Sequence, residues 1–326
     1  IDDALDLIEF ANGSLTTKWG KIRNEMGHPA PFNMKFIGVG NEQWEPQYIE
    51  RYKVFEKAIH AKYPDIKIVS GSGPYAEGEY FNYAWKELKQ LKPALIDEHY
   101  YKPPKWFFSN AGRYDNYERT GPKVFAGEYA AHSKDNPDTE SRNNWESALA
   151  EAAFMTGLER NADLVQMCSY APLLAHVDAW QWRPDLIWFD NLNSMATPNY
   201  YVQKLFSTNK GTHVVSITED DKAITGKDSL YSSAVIDKQK GELIIKIVNS
   251  ASVSQQVELD LKGCKLSKTE GMVQTLATND IYSYNKVAEL QKLKPDEKKL
   301  LFSTTKYNYS LPPYSVSVLR IPVSVK

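Results

Sequence analysis

The sequence predicts an α/β chain: part of a (β/α)8 TIM-type barrel, about five of its strands, followed by a C-terminal antiparallel β-sandwich. Three observations predict it. Short apolar segments alternate with amphipathic helical stretches over roughly the first 205 residues. These strands run into polar and aromatic residues, not into a Gly-rich phosphate loop, which suits a barrel better than a doubly wound nucleotide-binding sheet. Beyond about residue 205 the texture changes to short runs of alternating apolar and polar residues separated by turns. The expected domains are therefore 1–205, a partial barrel that carries the chemistry, and 206–326, a sandwich.

Residues 1–13 place Ile1, Ala4, Leu5, Leu7, Ile8, Phe10 and Ala11 at helical spacing and stop at Asn12-Gly13. Residues 14–34, with Trp19, Gly27, Pro29 and Pro31, read as a polar connector. Phe36–Val39 is a short apolar run bounded by glycine, the pattern of a strand covered on both faces. Residues 46–63 form an amphipathic helix ended by Pro64, and 66–71 a strand that opens into the loop Gly71-Ser72-Gly73-Pro74. A helix over 79–91 and a strand over 94–101 follow, then a loop rich in proline and aromatics (Pro103, Pro104, Trp106, Phe107, Phe108). Strand 124–128, helix 139–160 and strand 164–170 complete the beat. Five strands do not close an eight-stranded barrel, so either three lie upstream of Ile1 or the count is short. Residues 171–200, with Trp180, Trp182 and Trp188, read as a long loop framing an active site. In the sandwich, strands are expected at 214–219, 230–237, 243–249, 255–261 and 315–322, with the Lys- and Glu-rich stretch 286–299 a solvated loop.

At 326 residues the chain is long enough for two domains, and 42% hydrophobic residues can fill a substantial core. A formal net charge of −2 without a basic block argues against nucleic acid as the partner. The 8 Trp and 20 Tyr supply flat apolar faces with polar edges, which suit sugar rings and also serve cores. Cys168 sits in an apolar strand and Cys264 in the other expected domain, so Cys168 reads as a free buried thiol, not half of a disulfide. No run is long and apolar enough to span a membrane. The chain opens at Ile1, inside a helix, which reads as processing or truncation; the lack of a signal peptide therefore says little about location.

The chemistry sits at strand ends. The stretch 36–44, FIGVGNEQW, carries Asn41, Glu42 and Trp44 where catalytic groups stand in barrels. A second apolar strand, 123–129, ends Gly127-Glu128. Singly, a strand-end Glu is as well read as a solvated or helix-capping residue; two of them suggest a pair. Glycoside hydrolysis needs such a pair, roughly 5–5.5 Å apart in retaining enzymes and roughly 6.5–9.5 Å in inverting ones. One carboxyl must hold a proton for the leaving group while the other stays ionised. Asn41 can bond the sugar hydroxyl beside the anomeric centre, and Trp44 can take a sugar face. His99, Tyr100 and Tyr101 end the strand before that of Glu128, where a tyrosyl OH would hold Glu128 ionised. The alternative is that this trio fills the barrel mouth. The six His form neither HxH nor HExxH and no G-x-S-x-G elbow appears, so no metal, cofactor or serine-hydrolase chemistry is called for.

Taken together, FIGVGNEQW (36–44), IDEHYY (96–101), VFAGEYAAH (124–132), SYAPLLAH (169–176), DLIWFDN (185–191) and YYVQKLFS (200–207) resemble glycoside hydrolase family 51, the retaining α-L-arabinofuranosidases of clan A. The resemblance implies Glu42 as acid/base, Glu128 as nucleophile, Asn41 on the 2-hydroxyl and a tyrosine of the HYY run beside the nucleophile. It implies a β-sandwich behind the barrel, and three further barrel strands that this chain lacks, so that it is expected to be a fragment of a longer enzyme. The implied partner is an arabinose-containing oligo- or polysaccharide, with a second copy or the absent N-terminal segment as further partners. That substrate class points to an extracellular or periplasmic setting. Two alternatives stay open on the residues: another clan A retaining glycosidase (a xylosidase or endo-glucanase), because these strand ends are shared across the clan, and a non-catalytic carbohydrate-binding remnant.

Overall fold

Strands Phe36–Val39 (β1), Lys67–Gly71 (β2), Leu95–Lys102 (β3), Lys123–Ala131 (β4) and Val165–Tyr170 (β5) make one sheet in that order in the computed structural model, which describes residues 1–133 and 139–324. β1–β2 and β2–β3 are parallel, with Ile37 opposite Ile68 and Val69 opposite Leu95. Parallel neighbours need crossovers, and helices Glu45–Lys62 (α3) and Glu79–Leu91 (α4) supply the first two. Helices Asp2–Asn12 (α1) and Lys18–Glu25 (α2) precede the sheet. Among the described residues the sheet stays open, with β1 and β5 at its ends.

The chain divides into two compact units, the first comprising residues 1–100, 118–127 and 166–168, the second 101–117, 128–165 and 169–326. In the first unit α3 lays Tyr48, Ile49, Tyr52 and Ile59 on Ile37, Val39, Ile68 and Ile96 of the sheet. Tyr48 is more than filler: its OH donates to Val39 O at 2.7 Å and accepts from Gly71 N at 2.9 Å, fixing where β1 and β2 end. The stretch expected as a connector, 14–34, contains α2. Its helix is set by Thr17, whose hydroxyl accepts from Gly20 N, and by Arg23. That guanidinium is buried and donates to Phe10 O, Gly13 O and His28 O, so polar bonds replace the apolar stripe that would have announced a helix. Cys168, expected to be buried, is exposed, because it lies on the end strand β5 where only the two terminal residues are buried. Neither cysteine is part of a disulfide.

The second unit is built around helix Trp145–Arg160 (α6), buried from Trp145 to Leu158. Its small residues let neighbours approach: a Cβ on Gly157 would fall 2.0 Å from Ala111 O. The helix expected from 139 begins at Trp145 instead, after a 3-10 turn Thr139–Asn143, where Asn144 caps it by accepting from Ser147 N. The Pro-aromatic loop is a helix, Pro104–Ser109 (α5), with proline in its first turn. The 171–200 stretch is ordered as a small sheet, Leu174–His176 (β6), Ile187–Phe189 (β7) and Ser194–Ala196 (β8), folded over the buried Trp188 and followed by helix Pro198–Thr208 (α7). The sandwich follows as expected. Its larger sheet runs in the order 296–301, 270–277, 315–324, 242–249, 230–237, 213–215, and its smaller one pairs 255–260 with 306–311. Leu243, Ile245, Ile247, Leu319 and Ile321 of the first meet Leu259, Leu311 and Tyr309 beside the second. Strands 270–277 and 306–311 were not expected, and part of the supposed solvated loop is strand 296–301. Its Glu297, Lys298 and Lys299 side chains are all exposed at the edge of the sheet, the charged edge that discourages pairing with another strand.

Candidate active site

In the first unit β1 breaks at Gly40, whose φ of +85° only glycine adopts freely and whose Cβ would meet Gln43 at 2.5 Å. The turn then holds Glu42 at φ +56°, a left-handed conformation that costs a non-glycine residue on the order of 1 kcal/mol or more. That strain aims the Glu42 carboxyl at His99, with Oε1 2.8 Å from Nδ1. On the far side of the imidazole, Nε2 lies 3.1 Å from Asp97 Oδ2. Asp97 and His99 are two apart on β3 and share a face. Buried between two carboxyls, the imidazole has both nitrogens engaged. Two such bonds require two protons on the path. Either His99 is an imidazolium between two carboxylates, or it is neutral, donating to one carboxyl and accepting from the other in its protonated form.

Tyr100 lies on the opposite face of β3. It is fully buried and donates to Glu98, whose other oxygen accepts from Trp85 Nε1 of α4 at 2.8 Å. It therefore does not share the face of His99. Asn41 and Trp44 both lie exposed in the turn after β1, where Asn41 N donates to the Gln43 side chain. Gly127, which precedes Glu128, packs against the carboxyl of Asp97: a Cβ there would fall 2.0 Å from Oδ1. The Gly-Glu strand end thus records a steric need and not a turn.

In the second unit Tyr101 OH donates to Glu128 Oε2 at 2.6 Å, a short bond that orients the carboxyl. The Tyr101 ring packs on His132, centroids 5.6 Å apart, and His132 N donates to Lys102 O, tying the ends of β3 and β4 together. Behind β4 stands a polar group that sequence reasoning missed. Glu151 of α6, fully buried, accepts from Ala131 N at 2.8 Å, three residues beyond Glu128. Burial pushes its carboxyl up to about 8, against the pull of that N–H. Tyr129 OH donates to Gln203 of α7. Asn143 joins Tyr170, Asn199, Trp188 and the Asp185 N–H, and burial alone raises Asp185 to about 6. One signal could have found Glu151: it is a lone charge inside the apolar run 148–155.

Comparison with known proteins agrees along the whole chain. Residues 1–119 match the family description "Alpha-L-arabinofuranosidase 1 domain" and residues 127–315 match "Alpha-L-arabinofuranosidase C-terminal domain". An extracellular exo-α-L-arabinofuranosidase of Streptomyces chartreusis is 55% identical over 216 residues, 66% of this chain and 25% of that protein. Alpha-L-arabinofuranosidase 2 of Arabidopsis thaliana is 32% identical over 99% of this chain and 48% of its own length. The arabinose-bound arabinofuranosidase MgGH51 superposes with a TM-score of 0.87 at 31% identity, covering 99% of this chain and 51% of that one. The Thermotoga maritima arabinofuranosidase, at 19% identity and a TM-score of 0.80 over 98% of this chain and 72% of its own, shares the fold: a TIM-barrel-type α/β part with a β-sandwich. This chain spans about half the length of the curated relatives that match it end to end. No helix among the described residues is long and apolar enough to cross a membrane.

Proposed function

The chain belongs to the α-L-arabinofuranosidases of glycoside hydrolase family 51, and from that premise we propose that it carries the catalytic carboxyls of an enzyme releasing terminal α-L-arabinofuranosyl units from plant oligo- or polysaccharides with net retention. Glu42 is the acid/base and Glu128 the nucleophile. The observation that carries this reading is that each carboxyl has a hydrogen-bonding partner on β3: Glu42 Oε1 lies 2.8 Å from His99 Nδ1, and Glu128 Oε2 accepts from Tyr101 OH at 2.6 Å. Support for pairing them comes from β3: His99 and Tyr101, the two partners, stand two residues apart on one strand.

In this reading Glu128 attacks the anomeric carbon while Glu42 gives its proton to the departing oxygen. Glu42, now ionised, then takes a proton from the water that frees the sugar. Asn41 bonds the 2-hydroxyl, and Trp44 takes a sugar face. Because the relatives are about twice as long, the five-stranded sheet is read as part of an eight-stranded barrel completed by residues outside this chain, with 1–205 as its barrel portion and 206–326 as the sandwich. The test is turnover of p-nitrophenyl α-L-arabinofuranoside by the full enzyme and its Glu128→Ala variant, with the anomeric configuration of the first product read by NMR. Loss of turnover in the variant and a retained configuration are expected. Undiminished turnover by the variant, or an inverted first product, sinks the assignment.

A further inference from the structure

The exposed aromatics of the first unit are not scattered. Trp44, Tyr75 and Tyr80 are 42%, 48% and 41% exposed, yet their rings touch: Trp44 lies 6.4 Å from Tyr75 and 6.3 Å from Tyr80, and the two tyrosines stack at 5.9 Å with 25° between planes. They come from three places in sequence. Trp44 follows β1, Tyr75 sits in the loop after β2, and Tyr80 opens α4. Backbone geometry brings them together. Gly73, at φ +89°, turns the β2 loop beside the β1 turn, where a Cβ would be in ordinary contact, 3.5 Å, with Trp44 Cβ. A contiguous exposed aromatic cluster assembled this way marks a binding surface more often than an accident of packing.

Its side of the site follows from the chemistry. The general acid delivers its proton to the oxygen that leaves with the rest of the polysaccharide, so groups grouped around the acid border the leaving sugar. Trp44 is two residues from Glu42, and a Cβ on Gly71, at the base of the Tyr75 loop, would stand 4.0 Å from Glu42 N. Resting on the reaction proposed above, we propose that Trp44, Tyr75 and Tyr80 form a stacking platform for the main-chain sugar from which the arabinofuranosyl unit departs. Aromatic faces take the C–H face of a sugar ring, while the tyrosyl OH groups and the indole N–H stay at the wet edge. Tyr75 and Tyr80 are thus specificity-determining residues: they contribute to discrimination between branched oligosaccharides and simple glycosides.

The test compares kcat/KM of the full enzyme on an arabinofuranosyl-substituted xylo-oligosaccharide and on an arabino-oligosaccharide, each divided by kcat/KM on methyl α-L-arabinofuranoside, whose leaving group has no face to stack. In the Tyr75→Ala/Tyr80→Ala double variant at least one ratio should fall about tenfold. The Tyr75→Phe/Tyr80→Phe variant, which keeps the rings, should restore it. The oligosaccharide that loses more identifies the main chain the platform takes. Ratios unchanged within about twofold, including parallel loss of both rates, overturn the platform. If the unsubstituted enzyme turns over none of the three, the proposed reaction has failed. Titrating tryptophan fluorescence with the same oligosaccharides then decides the platform separately. A Kd raised about tenfold by the double alanine variant supports it, and an unchanged Kd or no binding refutes it.

Discussion

Replacing Glu151 by Gln should flatten the dependence of stability on pH across the neutral range. Glu151 is fully buried, and its carboxyl is pushed from 4.5 up to about 8, mainly by desolvation. The sign follows from proton counting. Between these values the unfolded chain has released this proton and the folded chain has kept it, so the native state binds more protons and stability falls as pH rises. The stabilising contribution is complete below about 4.5 and is lost as pH climbs through about 8. At about 1.4 kcal/mol per pH unit, the interval comes to roughly 5 kcal/mol, comparable with the whole stability of many domains. The glutamine keeps a carbonyl oxygen for Ala131 N and cannot ionise. Urea unfolding at about pH 5 and pH 8 measures most of the effect: the unsubstituted protein should lose roughly 3.5 kcal/mol more than the variant. Asp185, raised to about 6 by burial, slopes the same way but is present in both proteins and cancels in the difference. If the two proteins lose stability in parallel between these pH values, Glu151 is not held protonated in the fold.

Tyr101→Phe removes the hydroxyl that donates to Glu128 at 2.6 Å; losing a bond to a charged group, worth about 1.5–3 kcal/mol, should lower kcat of the full enzyme on p-nitrophenyl α-L-arabinofuranoside by roughly ten- to a hundredfold. A kcat within about twofold of the parent would show that this bond does not orient the nucleophile. Lys246→Met deletes an ammonium with no exposed surface that donates to Glu159 at 2.6 Å and to Asn209 O at 2.7 Å, leaving Glu159 with Ser233 alone. Stranding that carboxylate should cost about 3–5 kcal/mol in denaturant unfolding, and the Lys246→Met/Glu159→Leu double variant should recover much of it; a double variant as unstable as the single one would contradict this account.

The strands of the first sheet were legible as short, largely apolar runs, such as Phe36–Val39 followed by Gly40 and Lys67–Gly71. α2 was not, because a buried arginine bonding to four backbone carbonyls has no hydrophobic period to betray it. α5 was hidden by composition: two prolines and three aromatics look like a loop, although proline is at home in a first helical turn. Strand 306–311 was not expected, although Lys306-Tyr307-Asn308-Tyr309-Ser310-Leu311 alternates with period two and buries Leu311. At the site, the carboxyls were legible from where they stand in the chain. Asp97 and Glu151 were not, since each acts through another group: Asp97 through an imidazole, Glu151 through a backbone N–H.

The run His99-Tyr100-Tyr101 shows why residue identity alone could not sort the site. Three polar or aromatic residues in a row look like one cluster, but a strand sends neighbours to opposite faces. Register therefore decides. Asp97 and His99 are on the face that Glu42 reaches, and Tyr101 continues the same period toward Glu128. Glu98 and Tyr100 take the other phase, bonding each other and Trp85 of α4. The two sets differ in what they can do. The first leaves acidic and basic groups partly open to solvent, with Glu42 34% exposed, so protons can be exchanged there. The second seals a carboxyl at zero exposure against a tyrosine and an indole, which anchors a helix and leaves no path for a substrate. A shift of β3 by one residue would exchange the faces of the two sets, sending Glu98 and Tyr100 toward Glu42 and His99 toward α4. The bond from Trp85 of helix α4 to Glu98, on the far side of the sheet, favours the observed register of β3.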